Sequence, residues 1–119
     1  MRYSFPKILL HLEGLAILVG ACLAYGYLGD SWIQFAVWFL IPDLSMIGYL
    51  VNPTVGARSY NLVHTYVAPL ALLMFVHLAH WPSFAPLCLI WISHIAFDRL
   101  LGYGLKYDSG FKDTDLSRV

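Results

Sequence analysis

The chain has 119 residues and a mass of 13.5 kDa; it is 60% hydrophobic and 12% charged, and its seven bases balance seven acids. Soluble domains carry about 25% charged residues, so half the expected surface charge is missing. One domain is all the length allows. The balance leaves no basic footprint for nucleic acid, and no like-charge block or low-complexity tail signals disorder. What remains is a small polytopic membrane protein, surrounded by membrane lipids.

Hydropathy divides the chain into four stretches of about 20 residues, each long enough for a ~30 Å hydrocarbon core. They run over 8–27, 32–51, 62–81 and 84–103, and they predict an all-α, four-helix membrane bundle. The connectors are 28–31, 52–61 (with Pro53 and Gly56) and Pro82-Ser83, the first and last being short helix–helix turns. A cleavable signal peptide is the rival reading of the first stretch, but Glu13 inside it favours a retained helix. Pro42 and Pro69 lie within spans, where each removes a backbone donor and kinks its helix; a bundle can re-satisfy the freed carbonyls. Residues 104–119 mix Lys106, Asp108, Lys112, Asp113, Asp115 and Arg118 and read as a solvated, partly ordered cytoplasmic tail.

Arg2 and Lys7 precede the first span, Arg58 lies in the middle connector, and Arg99, Lys106, Lys112 and Arg118 sit at or after the end of the fourth. All the bases thus fall on one side, which by the positive-inside rule is the cytoplasm, with both termini inside. Trp32 and Trp81 suit the outer interface; Tyr49, Tyr60, Tyr103 and Tyr107 suit the inner one. Ala16, Gly20 and Ala24 repeat at four-residue spacing, which permits close backbone approach, within the bundle or across a homodimer. Cys22 and Cys88 make no disulfide framework.

A charged side chain in hydrocarbon costs ~2.5–3.5 kcal/mol on insertion scales, yet the spans hold Glu13, Asp43, His64, His94 and Asp98. With a rise of 1.5 Å per residue along straight spans, these lie roughly 8, 12, 3, 13 and 8 Å from the cytoplasmic end. All five share the cytoplasmic half. His94 and Asp98, at i and i+4, lie on one helical face, and such a pair is a common half of a metal site in a bundle core. Asp43 and His64 bring the set to two nitrogens and two oxygens, a mix that suits zinc first, then manganese or iron. The alternative is a hydrogen-bonded network that only specifies packing. His77 is about 20 Å along the axis from His64, so those two cannot share a metal, and with His80 it belongs to the outer end. His11 points to a different face from Glu13. His64 and His94 differ in expected depth by about 10 Å, which argues against a bis-histidine haem. Asn52, Arg58, Tyr60 and Asn61 frame the mouth of the cluster. Arg58 and Arg99 suit an anionic group of a substrate, with Asn61 beside them.

The runs Glu13-Gly14-Leu15, Pro42-Asp43-Leu44-Ser45-Met46-Ile47-Gly48-Tyr49, Asn61-Leu62-Val63-His64-Thr65-Tyr66, Trp91 to Arg99 and Gly102-Tyr103-Gly104-Leu105-Lys106-Tyr107, leading into Gly110-Phe111, occur in order. Over nearly its whole length the chain resembles the bacterial domain-of-unknown-function family 4260, small integral membrane proteins. That implies a multi-pass protein of the bacterial cytoplasmic membrane and no particular activity. A looser similarity is to inner-membrane proteins classed as metal-dependent hydrolases, which have a Pro-Asp pair, a His before a small hydroxyl residue and a Ser-His-x-x-x-Asp helix. Pro42-Asp43, His64-Thr65 and Ser93-His94 with Asp98 match that order. A further His of that family falls at Ser59 here, which weakens any two-metal arrangement.

These readings converge on a metal-dependent membrane hydrolase acting on a lipid-linked or amphipathic ester or phosphoester. Asp43, His64, His94 and Asp98 would bind the divalent cation, with Glu13 as general base or extra ligand, and Arg58, Asn61 and Arg99 at the substrate. A small ion- or proton-coupled transporter, or an accessory structural subunit, is the alternative from a different class.

Overall fold

In the computed structural model, which describes residues 4–107 and 110–116, Ser4 starts the first helix. Its Oγ accepts the Lys7 N–H at 3.2 Å, and a proline in the first turn has the φ the helix wants. Helix α1 (Phe5–Leu28) ends at Gly29, whose φ of 76° is the left-handed cap. Ser31 then caps α2 (Trp32–Phe39), accepting from Ile33 and Gln34. An α-helix cannot run on through Pro42, which has no N–H to give Trp38 and would crowd that carbonyl. The chain instead tightens into a 3₁₀ segment, Ile41–Leu50, long for a form that is usually three or four residues.

The next stretch departs from expectation. Residues 52–61, expected to be a connector, are largely helical: α3 spans Pro53–His64, with Asn52 Oδ1 accepting the Val55 N–H at 2.8 Å and Pro53 in the first turn. Pro69 lacks the N–H that would bond Thr65, Thr65 is extended, and a new helix α4 (Val67–Leu78) begins. The stretch expected as one straight span over 62–81 therefore belongs to a helix pair bent by 42°. A short 3₁₀ turn, Pro82–Phe84, leads into α5 (Ala85–Leu101), which Gly102 ends at φ 101°. The tail is not simply solvated. It forms an antiparallel hairpin, β1 (Lys106–Tyr107) with β2 (Gly110–Thr114), and Lys106, Thr114 and Leu116 are buried. Arg2, Asp108 and Arg118 of the expected charge pattern lie outside the described residues, as do the side chains of Tyr107, Lys112 and Asp113.

Apart from that hairpin the described chain is helical. Phe5–Leu28, Trp32–Leu50 and Pro82–Leu101 are each long and apolar enough to cross a membrane, and the bent α3–α4 pair passes the same test as a unit. These are the helices of a membrane protein. The core centres on α5, which buries Ile90, Ile92, Ser93, His94, Ile95 and Ala96. Helix α1 lies against it so closely that a Cβ on Gly14 would come within 2.8 Å of Leu100 N and 2.9 Å of Ala96 O. His11 Nδ1–H donates to the Leu100 carbonyl at 2.8 Å and ties the same two helices. The 3₁₀ segment packs on α3 with Ser59 Oγ 2.9 Å from the Ser45 carbonyl. Ala16 and Gly20 are on the outside of α1, with open space where a Gly20 Cβ would stand.

Candidate metal centre

Three elements deliver four side chains to one point. Asp43 comes from the first turn of the 3₁₀ segment, His64 from the last residue of α3, and His94 and Asp98 from successive turns of α5. His64 Nε2 is 3.1 Å from His94 Nε2, 3.4 Å from Asp43 Oδ1 and 3.4 Å from Asp98 Oδ2. His94 Nε2 is 3.1 Å from Asp43 Oδ1 and 3.4 Å from Asp98 Oδ2. No two of the four ligand atoms are more than 4.8 Å apart. Four ligands about 2.0–2.1 Å from a zinc ion at tetrahedral angles stand about 3.3–3.4 Å from one another. Five of the six edges here have nearly that length.

The expected depth difference between His64 and His94 is corrected by this geometry. It assumed a straight third span, whereas α3 ends at His64 and the chain turns there. Hydrogen bonding sets the ring. A carbonyl can only accept, so the 2.9 Å contact to the Tyr60 carbonyl puts the His64 proton on Nδ1 and leaves a lone pair on Nε2, facing the other ligands. His94 Nδ1 is buried without a hydrogen bond of ordinary geometry, beside the Phe39 carbonyl. With both rings neutral, at most one ring proton lies among four acceptor atoms. A divalent cation would satisfy all four and cancel both carboxylate charges. The donor set fits such an ion.

The histidines are almost fully enclosed, 0% and 2% exposed at the side chain, whereas Asp98 is 14% and Asp43 44% exposed. The centre therefore opens on its carboxylate side. There a cavity of about 190 Å³ is lined by Asp43, Met46, Tyr60, Asp98 and Tyr103. Asp43 and Met46 share a wall because residues three apart eclipse in a 3₁₀ helix.

Tyr60 is the residue that sequence reasoning undervalued. Its ring stacks on His64 at 3.7 Å and 4°, its carbonyl accepts from that ring, and its hydroxyl donates to Asp98 Oδ2 at 3.3 Å. Its place one helical turn before His64 was the available signal. Lys106 is a second such residue: its Nζ is 4.8 Å from the Tyr60 ring centroid, and burial pushes its ammonium below the usual lysine range while Asp98 opposes the shift.

The other candidates stand apart from the four-atom group. Glu13, on α1, is exposed and lines a separate small cleft with Tyr66, Arg99 and Asp115. Arg99 donates to the carbonyls of His64 and Tyr103, at 2.9 and 3.0 Å, and so caps the end of α3. Asn61 uses both ends of its amide on the Lys106 backbone, at 2.6 and 2.8 Å, pinning the hairpin to α3. Arg58 is on the exposed side of α3. Ser59, where the hydrolase-like pattern has another histidine, faces backbone carbonyls of the 3₁₀ segment and of its own helix.

No curated protein and no solved structure matches this chain. A family profile described as a domain of unknown function, DUF4260, matches residues 7–119, almost the whole length, and the chain belongs to that family.

Proposed function

We propose that this chain is a multi-pass protein of the bacterial cytoplasmic membrane, with both termini inside, and that it hydrolyses a lipid-linked or amphipathic ester or phosphoester with a divalent metal, zinc first. One observation carries the reading: four ligand atoms from three elements, spaced as the corners of a near-tetrahedron. Asp43, His64, His94 and Asp98 would hold the ion. A zinc ion supplies a Lewis acid and brings the pKa of water from 15.7 towards ~7. Tyr60 keeps His64 and Asp98 in register, and the half-exposed Asp43 marks the side from which a substrate enters. The ordered Pro-Asp, His-Thr and Ser-His-x-x-x-Asp elements add support from the hydrolase-like pattern. The centre is complete without Glu13.

The test is metal analysis of detergent-purified protein, followed by assays on amphipathic esters and phosphoesters. One divalent ion per chain is expected, with turnover that stops on chelation and returns with zinc. Wild-type protein without stoichiometric metal overturns the centre. The proton- or ion-carrying alternative draws on the same contacts, since the 3.1 Å His64–His94 approach and the flanking carboxylates also make a relay. It predicts pH-dependent flux in proteoliposomes with no turnover of any ester.

A further inference from the structure

The 3₁₀ segment that carries Asp43 stands between two cavities of opposite character. Residues three apart eclipse in such a helix, so its side chains form three rows. The Asp43–Met46 row faces the small polar cavity beside the ligand atoms. The other two rows, Ile41–Leu44 and Pro42–Ser45, line an apolar groove of about 530 Å³ whose further walls include Val63 of α3 and Leu87 and Trp91 of α5. The same three elements therefore build the groove and the centre. Pro42 and Val63 each adjoin a ligand residue in the chain, Asp43 and His64, at a Cα spacing of about 3.8 Å. On α5, Leu87, Trp91, His94 and Asp98 follow at steps of four, three and four, one stripe roughly 16 Å long. It leads from the groove through the centre to the polar cavity.

The lining says what the groove takes. No lining residue is charged. Ser45 Oγ donates to the Pro42 carbonyl at 2.8 Å, and Trp91 Nε1 donates to the Val63 carbonyl at 2.6 Å. Only the exposed Trp38 indole is left as a side-chain donor, beside the exposed Ile41 and Leu44. A hydrocarbon chain suits such walls, and the volume lies within the ~300–1,000 Å³ of pockets that enclose a ligand. Trp38, Ile41 and Leu44 belong to a segment apolar enough to cross a membrane, so a lipid tail can enter sideways from the bilayer. A larger apolar cavity of about 670 Å³ lies by His77 and His80, but no residue of its lining adjoins a ligand residue.

We propose that the groove is the chain-binding subsite of the metal centre: it seats one hydrocarbon chain of a membrane lipid whose ester or phosphoester head lies at the four ligand atoms. The proposal rests on the hydrolase reading and narrows its substrate to a lipid held in the bilayer. A tail gains little hydrophobic energy on moving from lipid to groove, so the groove supplies alignment of the head with the centre. The probes are acetohydroxamic acid and dodecanohydroxamic acid, one metal-binding head without and with a long chain. Each is titrated calorimetrically into the zinc-loaded full chain in the same detergent, so that micelle partitioning is common to every variant. The long-chain probe is expected to bind more tightly to the wild type. Leu87→Trp fills the groove about 10 Å along α5 from His94 and should cut the ratio of the two affinities about tenfold, the order of an overpacking penalty. Leu73→Trp, in the outer cavity, should leave the ratio unchanged.

An unchanged ratio in zinc-loaded Leu87→Trp puts the chain in the micelle, overturns the proposal and leaves the metal centre standing. Zinc-loaded wild-type protein that binds neither probe has a closed structural site; the hydrolase reading and the proposal then fall together while zinc binding survives. A chain that takes up no zinc removes the centre as well. A dimer in detergent that Leu87→Trp dissociates assigns the groove to a second copy and also overturns the proposal. If Leu87→Trp does not fold, dodecanohydroxamic acid with a diazirine on its last carbon is photolysed on the wild type. Label on Trp38, Leu87 or Trp91 supports the subsite, and label confined to other residues refutes it.

Discussion

The molecule holds two pairs of histidines, and they differ in everything but residue type. His64 and His94 come from different helices, are buried, and meet Nε2 to Nε2 between two carboxylates. His77 and His80 lie at the end of α4 and in the turn after it, both exposed, beside an apolar cavity whose lining includes no carboxylate. The exposed pair arises from local spacing alone. The buried pair requires a break after α3, a proline-driven change of helix type before Asp43 and the contact of both with α5. A metal centre in lipid needs that second kind of construction, because only converging elements bring charge-balancing ligands to one point without water.

The sharpest way to break the contrast is to delete the imidazoles in turn. His64→Ala and His94→Ala are each expected to abolish stoichiometric metal in the purified protein, since either leaves three ligands and an opened cavity. His77→Ala and His80→Ala should retain wild-type metal content. Equal loss from both pairs, measured by metal analysis on folded protein, would erase the distinction. A smaller effect tests how the buried pair is held. Tyr60→Phe keeps the ring stacked on His64 and the backbone carbonyl for its Nδ1–H, and removes only the hydroxyl that donates to Asp98. Loss of such a supporting contact weakens metal about 10–100-fold. Competition against a metal-sensitive dye reads the change, and affinity equal to wild type would mean that Asp98 needs no such support.

Much of this centre was legible in the residues. The Ser93-His94…Asp98 spacing put two clustered residues on one helical face, and depth arithmetic assigned the polar residues of the expected spans to one common half. Asp43 and His64 followed from that. The depth arithmetic failed for a definite reason, because it treated residues 62–81 as a straight rod. Asn52-Pro53 is a helix-start signal and Pro69 a helix-break signal, and together they move the helix boundary to His64. Tyr60 was also within reach, one turn from the histidine it supports. The hairpin was not. Its first strand is two residues long, Lys106 is buried with its backbone bonded to Asn61 of α3, and Leu116 is buried beside a cleft it shares with Leu10, Gly14 and Ile17 of α1, contacts that no local pattern announces. Asn61 likewise reads as a mouth residue until its amide is seen on the Lys106 backbone.

The exposed pair offers the smallest and most discriminating effect. His80 is the only described non-glycine residue with positive φ, at 59°, a conformation that costs an L-residue about 1–2 kcal/mol. His80→Gly removes that cost, and a glycine loses more chain entropy on folding, a penalty of about 0.5–1 kcal/mol. The two terms partly cancel, so the variant should melt at or slightly above the wild-type temperature in detergent, a gain of at most about 1.5 kcal/mol. Its metal content should not change. A clear destabilisation would mean that the His80 imidazole contributes to folding through contacts of its own, and a loss of metal would mean that the outer turn is coupled to the buried centre. Only the loss of metal would show that the two histidine pairs are not independent, because His80 is not among the four clustered residues.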